Sequence, residues 1–173
     1  MSQAPEPNVY FKEVQRMTFW WVWALVLAGA AFAWWTFLQG IVLHHPVGDH
    51  PPNETGYWMI LIIVVIGMPL FLYSLKITTT VTRDGLRVRY WPLITRTVFM
   101  SEIKTFAACQ YHPIRDYGGW GIRWGFGRGM AYSMSGHDGV QLELHNGRKV
   151  LIGSQQATDL QAALRRVQDE QQR

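Results

Sequence analysis

Residues 17–38 read MTFWWVWALVLAGAAFAWWTFL, 22 residues without one Asp, Glu, Lys or Arg. In hydrocarbon an unpaired peptide group or an ionised side chain is heavily penalised, and a helix satisfies all of its own backbone groups. About 20 apolar residues of helix cover a bilayer core of about 30 Å. The stretch is therefore expected to be a transmembrane helix. A secretory signal would carry a shorter apolar run and a small-residue cleavage site. Trp34, Trp35 and Phe37 stand where that site would be, so cleavage is not expected.

Working outward, a second uncharged stretch follows at 56–75, GYWMILIIVVIGMPLFLYSL. It is also of spanning length, and Pro69, next but one to Gly67, removes a backbone donor and should kink it. Trp and Tyr mark the ends of both stretches: Trp20, Trp21 and Trp23 against Trp34 and Trp35, and Tyr57 and Trp58 against Tyr73. These residues favour the headgroup level because an apolar ring carries a polar tip. The connecting segment 39–55 holds no Lys or Arg, whereas Lys12 and Arg16 precede the first stretch and 14 basic residues follow the second. By the positive-inside bias, residues 1–16 form a cytoplasmic tail, 39–55 a periplasmic loop and 76–173 a cytoplasmic domain. Ala24, Ala28 and Ala31, at i, i+4 and i+7, form a small-residue stripe on which another helix can pack closely or which faces lipid.

The segment 76–173 carries 14 basic and eight acidic residues, a formal net charge of +6. Beside a membrane, such a charge points to anionic headgroups. Nucleic acid is not an expected partner, because none of its recognition signatures occurs. The single cysteine, Cys109, excludes an internal disulfide, and no Cys/His spacing implies a metal site.

Within 76–173 the pattern becomes one of short strands and turns. Lys76–Thr82 is rich in β-branched residues, Arg83-Asp84-Gly85 is a turn, and Leu86–Trp91 begins with alternating apolar and basic residues. Further strands are expected at Arg96–Met100, Ile103–Tyr111, Trp120–Trp124, Met130–Met134, Val140–Leu144 and Lys149–Ile152, the last two joined by the Asn146-Gly147 hairpin signal. Leu160, Ala163, Leu164 and Val167 then fall at i, i+3, i+4 and i+7, the stripe of an amphipathic C-terminal helix. About seven antiparallel strands closed by one helix give the expectation of an α+β membrane protein: a transmembrane hairpin (17–38 and 56–75) and a small antiparallel barrel.

The segments TVTRDGLRVRY and, later, SEI (Ser101–Ile103) resemble the opening of bacterial pleckstrin-homology-like domains anchored by a helical hairpin. YGGWGIR (Tyr117–Arg123), AYSMSGHDGVQLEL (Ala131–Leu144) and NGRKVLIGSQQATDL (Asn146–Leu160) are similar to segments of small bacterial membrane proteins of the same plan. The similarity covers about 76–165 and implies a PH-like fold more than a function. Those proteins often have Pro at the start of the last helix, where Ala157 stands here.

Among candidate sites, His44 and His45, with Asp49 and His50 nearby, are the residue types that ligate metals, haem or chlorins, although adjacent side chains do not converge on one ion. The alternative is a set of polar residues capping an outer loop. The segment 112–129 brings Arg115, Tyr117, Trp120, Arg123, Trp124, Phe126 and Arg128 among six glycines. Arg and Trp suit protein hot spots and also the headgroup layer. The glycines superficially resemble a phosphate-binding loop, but no Gly-Lys-Ser/Thr follows. No paired carboxylates or nucleophile elbow are seen, so no enzymatic activity is expected.

The expectation is thus a non-catalytic accessory subunit of a larger bacterial inner-membrane complex, multi-pass with both termini cytoplasmic. By analogy the complex is a photosynthetic reaction-centre–light-harvesting assembly, and otherwise a respiratory one. The partners are other membrane subunits and anionic lipid. No cofactor of its own is expected, only peripheral contact with pigment, quinone or lipid. The alternative is a membrane-anchored adaptor whose basic domain binds anionic lipid or a soluble partner.

Overall fold

The computed structural model describes residues 9–17, 19–45 and 53–172. The chain forms two compact units, Thr18–Ser74 and Met1–Met17 together with Leu75–Arg173.

The first unit is helical. Helix α1 (Trp20–Phe37) continues through a π-helical turn, Leu38–Val42, four residues beyond the expected end, because nothing breaks it before the His44-His45 pair. Helix α2 (Glu54–Ile62) starts earlier than expected. Asn53 caps it by accepting the Gly56 N–H at 2.8 Å, and Glu54 sits in the first turn, where the helix dipole favours negative charge. A second π-helical turn, Ile63–Gly67, leads into α3 (Met68–Ser74). Pro69 lacks the N–H that would bond one turn back, and the widened turn just before it accommodates the loss. The runs Trp20–Val42 and Glu54–Ser74, 23 and 21 residues, are long and apolar enough to cross a bilayer.

These helices pack through Phe37, Tyr57 and Leu61, with Ile41 against them. The Phe37 ring meets Trp58 edge-on, centroids 4.7 Å apart. Gly40 lies so close to Tyr57 that a Cβ there would be 2.3 Å from the ring. Gly29, Ala33, Phe37 and Gly40 define the inward stripe, at helical spacing. Ala24, Ala28 and Ala31 fall on a different face and are exposed, so the predicted small-residue stripe is not what joins the two helices.

The second unit holds two sheets. Sheet A has the order β1 (Val9–Arg16), β2 (Lys76–Thr82), β3 (Gly85–Trp91), β4 (Ile94–Phe99), all antiparallel. Sheet B comprises β5 (Ile103–Gln110), β6 (Gly121–Gly125), β7 (Gly129–Ser133), β8 (Asp138–Leu144) and β9 (Lys149–Gly153), in the order β5-β8-β9-β7-β6. A short helix, α4 (Pro113–Tyr117), links β5 to β6, and α5 (Ala157–Gln171) ends the fold. The alternating pattern of each strand sends Ile77, Val81, Leu86, Val88 and Val98 from sheet A, and Val140, Leu142 and Ile152 from sheet B, into one core. Leu160, Ala163, Leu164 and Val167 are the buried stripe of α5, which packs on strands of both sheets.

Three expectations are corrected. The sheets do not close into a barrel: among the described residues no ladder joins β4 to β5. A 3-10 turn, Met100–Glu102, breaks the strand direction there, with Met100 buried and the Glu102 carboxyl accepting the Phe99 N–H at 3.2 Å. The strands are not all antiparallel, because β9 inserts between β8 and β7 and runs parallel to β7. Residues 9–16 are not a tail but strand β1, paired with β2 from Val9↔Thr82 to Arg16↔Lys76 with a shift of register between Val9 and Phe11.

Strand β1 is tied to the far sheet by polar contacts as well. Glu13, inward-facing and buried, accepts from the Ser154 hydroxyl, from the Gln155 N–H at 2.9 Å and from Gln15 Nε2 at 3.1 Å. Gln15 Nε2 also donates to the Gly153 carbonyl at 3.0 Å. The Tyr10 hydroxyl donates to Glu170 of α5.

Candidate functional site

The aromatic, glycine-rich segment divides into three parts with different fates. Pro113 opens α4, where a missing N–H costs nothing, and Gly118 ends it in the left-handed conformation. Tyr117 is buried here, edge-on to Tyr111 at 6.0 Å and packed with Ala131 and Leu151. It serves the core and is withdrawn from the predicted contact surface. Burial pushes both tyrosine hydroxyls above their ordinary pKa.

Arg115 is exposed on α4, its Nε 3.9 Å from Asp116, and Arg128 approaches the same carboxylate at 3.5 Å. Asp116 also accepts the His112 N–H at 2.9 Å. That bond, followed by the two guanidinium groups, holds the Asp116 carboxyl below its usual range. Two of the predicted contact arginines therefore share one acid. Trp120 is half-buried, donating Nε1 to the Gly136 carbonyl at 2.9 Å, with His137 edge-on. Arg123 donates Nε to the Trp120 carbonyl at 3.3 Å.

The remaining two are different. Trp124, at the end of β6, is 64% exposed, and Phe126, in the β6–β7 turn, is 93% exposed, their rings 5.6 Å apart. A groove of about 570 Å³ opens beside Trp124. Met130, Tyr132, Leu144 and Val150 give it an apolar floor, and Arg96, Arg148 and Lys149 line it. Among the described residues the lining holds no carboxylate, and Arg123 and Arg128 do not line it. Gly129 makes the geometry possible: its φ is +80°, and a Cβ would stand 1.9 Å from the Lys149 carbonyl oxygen.

Sequence reading missed the cations of this groove. Arg96 comes from sheet A and reaches the groove through the packing of the two sheets. Arg148 and Lys149, just before and at the start of β9, reach it within sheet B, where β7 alone separates β9 from the β6 strand of Trp124. The available signal was the pair of adjacent cations next to Asn146-Gly147. His44 and His45 are both exposed, and His45 donates its N–H to the Gln39 carbonyl at 2.8 Å. Their neighbours Asp49 and His50 lie outside the described residues. Among the described residues no three His, Cys, Asp or Glu side chains gather as a metal site. Cys109 is half-buried, and burial raises its thiol pKa.

Two apolar helices of spanning length and an α+β domain carrying a basic, tryptophan-edged groove define the class. The chain belongs to the family described as "Family of unknown function (DUF6141)", whose profile matches residues 2–168. No curated protein and no solved structure matches it.

Proposed function

We propose that this protein is a non-catalytic accessory subunit of a larger bacterial inner-membrane complex. Its two apolar helices cross the bilayer, and its β domain, on the cytoplasmic side, docks an acidic segment of a neighbouring subunit. The observation that carries this reading is the groove edged by Trp124. Three cations line an apolar floor, and an exposed Phe126 stands on the same turn as three of its glycine neighbours. Trp and Arg over an apolar floor are the make-up of interface hot spots, and the cations select a negatively charged partner. The cytoplasmic placement rests on the Lys and Arg distribution. A photosynthetic or respiratory identity for the complex follows from analogy alone and is left to the experiment.

The test is mild-detergent purification from native membranes. The wild-type protein is expected to elute with a defined partner. The triple variant Arg96→Glu, Arg148→Glu, Lys149→Glu should release that partner while keeping its circular dichroism, whereas Arg115→Glu should not. A wild-type protein that elutes alone refutes the subunit reading. A triple variant that keeps the partner but no longer binds anionic vesicles assigns the groove to lipid, as the adaptor alternative requires. The absorption spectrum of the purified complex decides between pigmented and unpigmented partners.

A further inference from the structure

The β3–β4 turn is a second exposed apolar feature, on the opposite side of Arg96 in the chain from the groove-lining strands of sheet B. Trp91, Leu93 and Ile94 are 43%, 53% and 43% exposed. The turn is tight, with the Leu93 N–H donating to the Tyr90 carbonyl at 2.8 Å. The Arg89 guanidinium lies 4.8 Å above the Trp91 ring, a cation–π contact. Nothing in the core requires three large apolar side chains at this place.

Strand register shows which end of sheet A this is. Arg16 pairs with Lys76, and Lys76 pairs with Trp91. That one row is where the chain leaves the sheet toward α1 and returns to it from α3. Ser74, the last residue of α3, precedes Lys76 by two positions. Two extended residues span at most about 7 Å, and neighbouring strands lie about 5 Å apart. The headgroup layer between hydrocarbon and water is about 5–8 Å deep on each side. The two-residue link and one strand spacing together allow at most about 12 Å between the end of α3 and the Trp91 backbone, a tether short enough for the Trp91 side chain to enter that layer when α3 ends at the hydrocarbon boundary. The opposite end of the same sheet carries the polar Arg83-Asp84 turn, six or more residues and about 20 Å further along the strands. Trp91, Leu93 and Ile94 stand together on one tight turn at the near end, with Arg16, Lys76 and Arg89 around them, whereas at the far end the exposed Val9 and Phe99 flank a turn made of charged residues.

We propose that the Trp91–Ile94 turn is an interfacial anchor that inserts into the headgroup region of the leaflet from which the two helices emerge. Its ligand is an anionic lipid surface. Trp91 and Leu93 enter the boundary between headgroups and acyl chains, and Arg16, Lys76 and Arg89 face lipid phosphates. The anchor holds the end of sheet A against the membrane and leaves the groove by Trp124 to a protein partner. This inference rests on the reading that the helices span the bilayer.

The experiment uses full-length protein with Cys109→Ser, reconstituted in phosphatidylcholine vesicles containing a minority of phosphatidylglycerol. A single environment-sensitive fluorophore is placed by Leu93→Cys, by Asp84→Cys or by Ile63→Cys, with quenching doxyl groups near the headgroup or near the chain ends. The label at 93 is expected to be blue-shifted and quenched most by the shallow doxyl. The label at 84 should be unquenched, and the label at 63 quenched by the deep doxyl. Ile94→Cys repeats the reading should Leu93→Cys disturb the fold by circular dichroism. Quenching at 63 without quenching at 93 or 94 overturns the anchor and leaves the spanning reading intact. No quenching at 63 overturns both, and equal quenching at 93 and 84 overturns the assignment to one end of the sheet.

Discussion

Replacing Glu13 by Ala should unlock the two sheets from each other. The side chain is buried and accepts from the Ser154 hydroxyl, the Gln155 N–H and Gln15 Nε2. Gln15 keeps a second acceptor in the Gly153 carbonyl. Ser154 Oγ accepts the Gln156 N–H at 3.0 Å, but its own proton loses its acceptor. Two donors are thus stranded, the Ser154 O–H and the Gln155 N–H, each at about 1–3 kcal/mol. Relief of the desolvation of Glu13 itself offsets part of this, which leaves about 3 kcal/mol. At 1.36 kcal/mol per tenfold, that is a fall of roughly a hundredfold in protection against global opening. Hydrogen exchange followed by mass spectrometry should report it in peptides covering Val140–Leu144 and Val150–Ile152, the middle of sheet B, although the substitution lies in sheet A. Glu13→Gln keeps an acceptor for Gln155 and can turn its amide toward Ser154 Oγ, so it should lose about 1 kcal/mol at most. Leu142→Ala, at a fully buried core position, is the positive control. If Glu13→Ala leaves sheet B as protected as wild type while Leu142→Ala does not, the clamp has no energetic role and the reasoning fails.

Gly129→Ala should destabilise the β domain by at least about 2 kcal/mol, because both the positive φ and the Lys149 carbonyl oppose a Cβ; a thermal midpoint equal to wild type would contradict this. Gly40→Leu should separate the helices at Tyr57, seen as faster exchange in peptides covering Glu54–Ile62, with sheet B unaffected. Cys109 has a raised thiol pKa through burial, so alkylation at neutral pH should be slower than for a free cysteine and should accelerate with rising pH beyond the range where an ordinary thiol has levelled off. Asp116 has a depressed carboxyl pKa, and its contribution to stability is complete above the ordinary value of about 3.9 and is lost as pH falls through the lower, folded one. Asp116→Ala should therefore remove a step from the acid end of the stability profile and leave the neutral region's slope unchanged.

Elements whose pattern is local were legible. Lys76–Thr82 announces itself by β-branched residues, Val140–Leu144 by alternation, and α5 by its four-residue stripe, and each is found where the pattern places it. The N-terminal strand was not, because VYFKEVQR alternates weakly and its partner lies 60 residues on, beyond two apolar helices. Its polar inward residues, Glu13 and Gln15, fall in the stretch expected to be a tail and are buried. The parallel β7–β9 pair was equally invisible, since a strand inserted by a later hairpin leaves no trace in either sequence segment. At the candidate site, Trp124 and Phe126 stood out as aromatics among glycines and are exposed. Tyr117 had the same look and is core, because α4 turns it inward. Arg96 could not be assigned before the sheets were, since it reaches the groove from another sheet.

The pairing of β1 with β2 has a consequence for biogenesis. Val9–Arg16 leaves the ribosome before either apolar helix, yet its hydrogen-bonding partner is made only after both. In the spanning arrangement proposed above, a strand and its partner must share a compartment, so an even number of crossings is obligatory and the leading segment must be retained rather than exported. A fusion that drags the N-terminus across the membrane would leave the β2 edge uncapped, open to pairing with a second chain and prone to aggregation.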